Sequence, residues 1–184
     1  MEYKSKKEKP GLLLHACCAV CASYPIEFLS DKFDTAILFY NPNIYPPEEY
    51  WKRLEDLKRY SDIKKIKLVI MDYETSVFDE RISGFEKEPE GGKRCEICFS
   101  LRLEKTAVCA KEYGYDFFAT TLTLSPHKKH KIINAIGIEL ADRHGVSYYE
   151  SDFKKNNGFK IANTISKQFA FYRQNYCGCR HSIR

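Results

Sequence analysis

The segment Gly11-Leu12-Leu13-Leu14-His15-Ala16-Cys17-Cys18-Ala19-Val20-Cys21 joins a short apolar run directly to a group of cysteines. Leu12–His15 has the length and continuous apolar character of a strand buried in a parallel sheet. A helical pattern over Val20–Leu29 follows this strand. A buried strand that leads through a polar turn into a helix is typical of the first half of a βαβ unit.

The same alternation continues along the chain. Strands are predicted at Leu12–His15, Thr35–Tyr40, Ile66–Met71, Asp116–Thr120 and Ser147–Tyr149. Helices are predicted at Val20–Leu29, from Pro46-Pro47 through Leu57, at Arg94–Tyr113, Lys129–His144 and Ile161–Tyr172, with a polar, glycine-containing loop at Glu86–Gly92. This order predicts an α/β fold: a single-domain, Rossmann-like parallel sheet flanked by helices. The domain is expected over residues 11–184, after a basic N-terminal arm at 1–10.

Polar motifs follow four of the predicted strands. They are His15–Cys21, Asn41–Asn43, Thr121–His127 and Ser151–Gly158. Ligands in open parallel sheets bind outside the carboxyl ends of the strands. We therefore expect a metal site at that edge of the sheet.

Length and composition limit the class of protein. The 184 residues favour one domain with a hydrophobic core, and the net charge of +5 is compatible with a nucleic-acid partner without indicating one. The 13 tyrosines and 12 phenylalanines suit either a core or stacking surfaces for bases. No apolar run reaches the ~18 residues of a membrane span, and Gly11–Leu14 is too short for a secretion signal. We expect a cytoplasmic protein with no membrane partner.

Seven of the eight cysteines fall into three groups. The groups are Cys17-Cys18-x-x-Cys21, Cys95-x-x-Cys98 and Cys177-x-Cys179. Clustered cysteines in reducing cytosol are more often metal ligands than disulfides. Structural zinc takes four ligands, so seven favour an iron–sulfur cluster beside a second centre. Cys109 stands alone within a predicted helix and is interpreted as a core residue.

Two details of these cysteines carry further expectations. A helix N-terminus and Arg94 should lower the thiol pKa values of Cys95 and Cys98. Cys17 and Cys18 are adjacent in the sequence, so we expect their sulfurs to point towards different centres.

Other polar residues at the same edge have competing interpretations. Asn41–Pro46 fits a substrate loop and a plain proline-rich turn equally well. Thr120–Lys128 suits a phosphate or a ribose, although Ser125 could simply cap the next helix. Asp152 is a candidate metal ligand or proton donor, with a surface ion pair to Lys154 or Lys155 as the alternative. His15 is a candidate ligand or proton donor, although a hydrogen-bonded position behind the metal ligands suits it better.

Basic residues also occur far from these motifs. The segment 63–67 is interpreted as a solvated edge leading into the third strand, and Arg53, Lys58 and Arg59 are interpreted as extending it into a charged surface.

The motifs together resemble the cobalamin-independent epoxyqueuosine reductases of the QueH type, from about residue 11 to residue 180. The matching segments are His15-Ala16-Cys17-Cys18, Tyr40–Ile44, Arg94-Cys95-x-x-Cys98, Arg102-Leu103, Thr120–Leu122, Ser125-Pro126, Asp152–Lys155 and Arg173–Cys179. Each motif alone is weak evidence for the family. The combination of Cys-Cys, Cys-x-x-Cys and Tyr-Cys-Gly-Cys in this order is highly specific to it.

The resemblance implies an activity, cofactors and partners. The epoxide of epoxyqueuosine, at the wobble position of tRNA, would be reduced to the alkene of queuosine with a [4Fe–4S] cluster and no cobalamin. The family's metal-binding cysteines correspond here to Cys17, Cys18, Cys21, Cys95, Cys98, Cys177 and Cys179, all but Cys21 being taken as cluster ligands. Asp152 and His15 are the candidate catalytic residues. The expected partners are tRNA with a queuosine-family wobble base and a low-potential electron donor of the ferredoxin or flavodoxin type.

The chemistry of the implied reaction suggests a second metal. Removing an epoxide oxygen as water takes two electrons and two protons, whereas a [4Fe–4S] cluster delivers one electron at a time. Thiolates beyond the four that a cluster needs could hold an adjacent mononuclear iron, with Asp152 as a further ligand. Such an iron would act as a Lewis acid on the epoxide oxygen.

Two other functions compete with this one. The first is a zinc-stabilised RNA-binding module without redox catalysis. The second is a nucleotide-binding, sulfur-transferring tRNA enzyme, which would need a glycine-rich phosphate loop after the first strand. His15–Cys21 contains no glycine and three cysteines, which disfavours ATP use.

Overall fold

The protein, described by a computed structural model over residues 9–183, contains one five-stranded sheet. The strands are β1 (Gly11–His15), β2 (Asp34–Phe39), β3 (Leu68–Ile70), β4 (Phe117–Thr120) and β5 (Ser147–Tyr148). They pair in the order β3-β2-β1-β4-β5, and every pair is parallel. The predicted α/β fold with a parallel sheet is confirmed.

Six α-helices connect and flank the strands in the described part of the chain. They are α1 (Ala19–Ser30), α2 (Pro47–Lys64), α3 (Thr75–Arg81), α4 (Lys93–Glu112), α5 (His130–His144) and α6 (Gly158–Gln168). Short 3-10 turns occur at Thr121–Leu124 and Arg180–Ser182. The sequence patterns predicted every α-helix except α3, which has seven residues and buries only Phe78.

The last helix lies earlier in the chain than the sequence suggested. Ala170 adopts a left-handed backbone conformation with φ of 51°, which ends the helical path just after α6. Phe169 and Phe171 then pack edge-on against Tyr60 of α2. Aromatic burial against a neighbouring helix therefore replaces the predicted continuation to Tyr172.

Helices cover both faces of the sheet because side chains alternate along β1. Leu12 and Leu14 pack into an apolar cluster with residues of α1, α2 and α6, whereas Leu13 faces a second cluster formed with α3, α4 and α5. Cys109 is buried in the second cluster, as expected of a core residue.

The strand order places a crevice beside β1. From β1 the chain moves outward to β2 and β3, and it then returns to the other side of β1 as β4 and β5. Loops that leave the carboxyl ends of β1 and β4 therefore diverge to opposite sides and leave space for a ligand.

Residues 1–8 of the predicted basic N-terminal arm lie outside the residues that the structure describes. Within residues 9–183, no helix has both the length and the apolar character needed to cross a bilayer.

Candidate metal centre

Three cysteine sulfurs converge where β1 passes into α1. The sulfurs of Cys17, Cys18 and Cys21 all lie within 4.8 Å of one another, and those of Cys17 and Cys18 are 3.9 Å apart. Tetrahedral coordination with metal–sulfur bonds of about 2.3 Å places sulfurs about 3.8 Å apart. This compact group therefore has the spacing of thiolates that share one metal ion.

The expectation that adjacent Cys17 and Cys18 diverge is wrong. Successive side chains point to opposite faces along a regular strand, but β1 ends at His15, before the two cysteines. Here the chain is already turning into α1, whose N-cap is Cys18, and the Cys18 sulfur accepts a hydrogen bond of 3.3 Å from the Cys21 amide. The turn brings both sulfurs to the same side.

The environment of this group favours a negative charge on Cys17. Hydrogen bonds from the thiols of Cys18 and Cys21 hold the pKa of Cys17 well below its ordinary value, and the positive charges of Lys128 and Arg53 act in the same direction. The hydrogen bond with Cys17, helped by burial, raises the pKa of Cys18 to about 12, although the hydrogen bond with Cys21 and the charge of Arg53 oppose this shift. One thiolate, the ligand form, is thus stabilised before any metal binds.

The other four cysteines line a single pocket. Cys95 and Cys98 come from the first turns of α4, and Cys177 and Cys179 come from the C-terminal segment. The Gly91 amide donates a 3.2 Å hydrogen bond to the Cys95 sulfur. The pKa of Cys98 is not lowered as expected. Burial raises it to about 12 despite the nearby charge of Arg102.

The C-terminal segment is held firmly against the loop after β2. The Tyr45 amide donates a 2.8 Å hydrogen bond to the Gly178 carbonyl, and Ile44 forms an antiparallel bridge with Cys179. Gly178 has φ of +103°, and an added Cβ would lie 3.0 Å from Ile44 and 3.1 Å from the Arg53 guanidinium. Only glycine fits this position without displacing either neighbour.

Arg53 is the second anchor of that segment. Its guanidinium donates to the carbonyls of Tyr176 and Cys177, each at 3.2 Å, and forms a buried ion pair of 2.7 Å with Glu49. The interpretation of Arg53 as part of a solvated basic surface is therefore wrong. Position 53 lies between Tyr50, Leu54 and Leu57 on the apolar side of α2, and that spacing could have revealed its burial.

Two further arginines are buried beside the pocket cysteines. Arg94 and Arg102 are each 3% exposed, and neither forms an ion pair within residues 9–183. Arg94 donates to the carbonyls of Glu86 and Glu88, while Arg102 donates to that of Cys98 at 3.2 Å. A buried charge without a counter-charge is costly. Metal-bound thiolates at the neighbouring cysteines would supply that counter-charge, so the donor set fits an anionic thiolate–metal centre.

The two asparagines after β2 have different environments. The Asn41 side chain donates a 2.9 Å hydrogen bond to the Ala16 carbonyl and contacts Arg102 at 3.5 Å, so it ties two loops together. Asn43 is 3% exposed and lines the cysteine pocket, and its side-chain oxygen has no hydrogen-bond partner among residues 9–183.

His15 is buried with both ring nitrogens in contact. Nε2 lies 3.2 Å from the Tyr40 carbonyl, which can only accept, and Nδ1 lies 3.0 Å from the Thr120 hydroxyl. Burial, with the charge of Arg102, lowers the pKa of His15 to about 4. These contacts describe a neutral imidazole that fixes the ends of β1, β2 and β4 relative to one another.

Asp152 does not line the cysteine pocket; it lines a second pocket, together with Tyr24 and Phe28, and contacts two basic side chains. Its carboxylate is 3.0 Å from the Lys154 ammonium and 3.6 Å from His130. Burial opposes ionisation, but the hydrogen bonds and charge of Lys154 outweigh it and lower the pKa of Asp152. Among the described residues, the one group of three or more ligating atoms within 4.8 Å is the Cys17 group, which excludes Asp152.

One contact of this site was not foreseen. The Gln174 amide donates a 3.1 Å hydrogen bond to the Cys18 sulfur, which links the C-terminal segment to the three-cysteine group. Gln174 is distant from Cys18 in the sequence and follows no helix or strand pattern. Only its position three residues before Cys177 indicated that it could lie near the metal site.

Comparison with known proteins gives one family. The family model described as epoxyqueuosine reductase QueH matches residues 12–184. Proteins of that name from Streptococcus pyogenes serotype M1, Acinetobacter baylyi and Thermotoga maritima are 37%, 41% and 34% identical to the chain. The three alignments cover 99%, 94% and 94% of this chain and 74%, 80% and 90% of those proteins.

Solved structures show where the fold recurs. The U34-tRNA thiolase NcsA from Methanococcus maripaludis, solved with its [4Fe–4S] cluster, superposes with a TM-score of 0.59 at 9% identity, covering 100% of this chain and 64% of the thiolase. A predicted subunit of tRNA methyltransferase from Methanocaldococcus jannaschii gives 0.55 at 12% identity, covering 82% of this chain and 75% of that one. At these identities the likeness concerns the fold alone.

Proposed function

The chain belongs to the epoxyqueuosine reductase QueH family, and from that premise we propose that it reduces the wobble epoxyqueuosine of tRNA with iron held by its cysteines. It is an oxidoreductase of tRNA modification, and its family reduces epoxyqueuosine. The observation that carries the metal part of the proposal is the presence of two cysteine groups: three cysteines whose sulfurs converge after β1, and four more that line one pocket with two buried arginines.

Both cysteine groups are proposed to hold iron. Thiolates select zinc and iron–sulfur centres over harder ions. The Cys17 group offers three sulfurs with the spacing of ligands to one ion, and the pocket offers four more. A single zinc takes four ligands and would leave three of the seven thiols unused, which favours a [4Fe–4S] cluster with an adjacent iron. The thiolase of similar fold carries such a cluster, which is compatible with this proposal but assigns no ligand.

The reaction balances as epoxide plus two electrons and two protons giving alkene plus water. When bound, the iron centres would supply the electrons, and an iron beside the cluster would polarise the epoxide oxygen. The protein must hold the base at the pocket, limit access of water and deliver protons. A low-potential donor of the ferredoxin or flavodoxin type is proposed as the electron source.

His15 and Asp152 are proposed to have different functions. His15 donates its ring N–H to the Tyr40 carbonyl and accepts from Thr120, and the N–H of a neutral imidazole is too weak an acid to serve as a proton donor. We propose that it positions the Cys17 loop.

Asp152 remains the predicted catalytic carboxylate, as a metal ligand or, through Lys154 and His130, as part of a proton path. The Asp152→Asn variant separates these roles. Loss of iron from the variant would identify Asp152 as a metal ligand. A lower kcat with full iron content would identify Asp152 as part of a proton path. Full iron with full activity would contradict both.

Iron counting tests the metal proposal. Protein reconstituted without oxygen should be brown, bleach with dithionite and contain more than four irons per chain. Cys95→Ser/Cys98→Ser and Cys17→Ser/Cys18→Ser should each lose iron, whereas Cys109→Ser, which lies in the core, should retain it. Mössbauer spectra that show one cubane and no further iron would contradict the second centre. A colourless protein that binds only zinc would instead support an RNA-binding module.

A further inference from the structure

The Cys18 sulfur accepts two hydrogen bonds from nitrogen donors. The Cys21 amide donates to it at 3.3 Å, and the Gln174 side-chain amide donates at 3.1 Å. The first bond caps the N-terminus of α1, as a side chain at that position commonly does. The second bond comes from a residue 156 positions further along the chain, so local helix geometry does not explain it.

The Gln174 amide group is oriented with its nitrogen towards this sulfur. Its amide oxygen is buried and has no hydrogen-bond partner among residues 9–183, an arrangement that disfavours folding. A free thiol at Cys18 could donate its proton to an amide oxygen, whereas a metal-bound sulfur has no proton and can only accept. The orientation of Gln174 therefore suits Cys18 as a metal ligand.

The segment that carries Gln174 contacts both cysteine groups. Cys177, three residues further on, lines the pocket of four cysteines, while Gln174 reaches the Cys17 group. The Arg53 guanidinium holds the backbone between them through the carbonyls of Tyr176 and Cys177. The Gln174 side chain therefore starts from an anchored backbone, which fixes its donor relative to the Cys18 sulfur.

We propose that Gln174 is a positioning residue that raises the reduction potential of the iron centre to which Cys18 belongs. This proposal rests on the proposed function, because it takes iron to be held at the Cys17 group. Hydrogen bonds to ligand sulfurs are among the factors that set the potential of an iron–sulfur centre. The N–H dipole of Gln174 withdraws electron density from the sulfur and stabilises the more negative, reduced state. The centre is therefore easier to reduce with Gln174 than without it.

Redox titration of iron-loaded protein, followed by EPR, tests the hydrogen bond. Gln174→Leu removes the donor but keeps a side chain of similar size. At a fixed ambient potential it should shift the ratio of oxidised to reduced centre about tenfold towards the oxidised form, which corresponds to about 59 mV for one electron. The matched control is Gln168→Leu, since Gln168 is the other glutamine of the chain and lies exposed at the end of α6. Equal potentials of the two variants at equal iron content would overturn the proposal.

A second variant applies if the leucine variant loses iron. Gln174→Glu keeps the size and polarity of the side chain, but an ionised carboxylate cannot donate to the sulfur and repels its negative charge. This variant should lower the potential at least as much as Gln174→Leu. Loss of iron from both variants would show that Gln174 only holds the segment in place, and this result would overturn the proposal.

A cobalt spectrum separates this proposal from the proposed function. Co²⁺ is bound in place of iron, and the absorption band for charge transfer from thiolate to cobalt is recorded. Without the hydrogen bond the sulfur electrons lie higher in energy, so Gln174→Leu should move the band to longer wavelength and Gln168→Leu should leave it unchanged. A protein that shows this shift but never forms queuosine disproves the proposed function and leaves the role of Gln174 standing. A parent protein that forms queuosine, with variants whose band and potential are unchanged, disproves the role of Gln174 alone.

Discussion

Single residues at this site are constrained mainly by backbone geometry and burial. Gly178 permits a turn that no other residue could make so close to Ile44 and Arg53. His15 is neutral because burial disfavours its charged form. Neither constraint follows from residue type alone: the sequence indicated a histidine and a glycine near cysteines, but not their contacts.

Gly178→Ala should disrupt the C-terminal cysteines. A Cβ here is strained by the positive φ and by contacts of 3.0–3.1 Å, so we expect a loss of about 1–3 kcal/mol and reduced iron per chain. The measurements are urea unfolding and iron content. Gly84→Ala is the control, because Gly84 also has positive φ, of +85°, but no atom within 4 Å of the added Cβ. Equal iron loss in both variants would contradict the role of these contacts.

At the scale of elements, α2 fixes the segment that carries Cys177 and Cys179. The Arg53 guanidinium donates hydrogen bonds from this helix to two carbonyls of that segment, and the Glu49 carboxylate neutralises its positive charge. The apolar pattern of α2 predicted the helix, but the pairing across 124 residues of sequence was not predictable because local patterns contain no information about distant contacts.

Arg53→Met should destabilise the metal-free protein by about 3–5 kcal/mol, because it leaves Glu49 buried without its partner. Arg59→Met is the matched control: its ion pair with Asp56 is exposed and should contribute about 1 kcal/mol or less. Urea unfolding measures both. Similar costs for the two variants would show that the buried pair does not anchor the segment.

At the scale of the molecule, a parallel sheet brings together cysteines that are far apart in sequence. The alternation of strands and helices predicted the sheet and the edge at which the first cysteines lie. It did not predict α3, the early end of α6 or the convergence of Cys17 and Cys18. Those features depend on tertiary packing and on a turn, neither of which produces a periodic signal.

The proposed activity is reduction of epoxyqueuosine by iron that the cysteines hold. The direct measurement is anaerobic incubation of iron-loaded protein with tRNA that contains epoxyqueuosine and a low-potential reductant, without cobalamin, followed by mass spectrometry of the nucleosides. We predict conversion to queuosine, with loss of one oxygen atom, and no conversion by the Cys95→Ser/Cys98→Ser variant. Unchanged epoxyqueuosine after incubation with fully iron-loaded protein would contradict the claim.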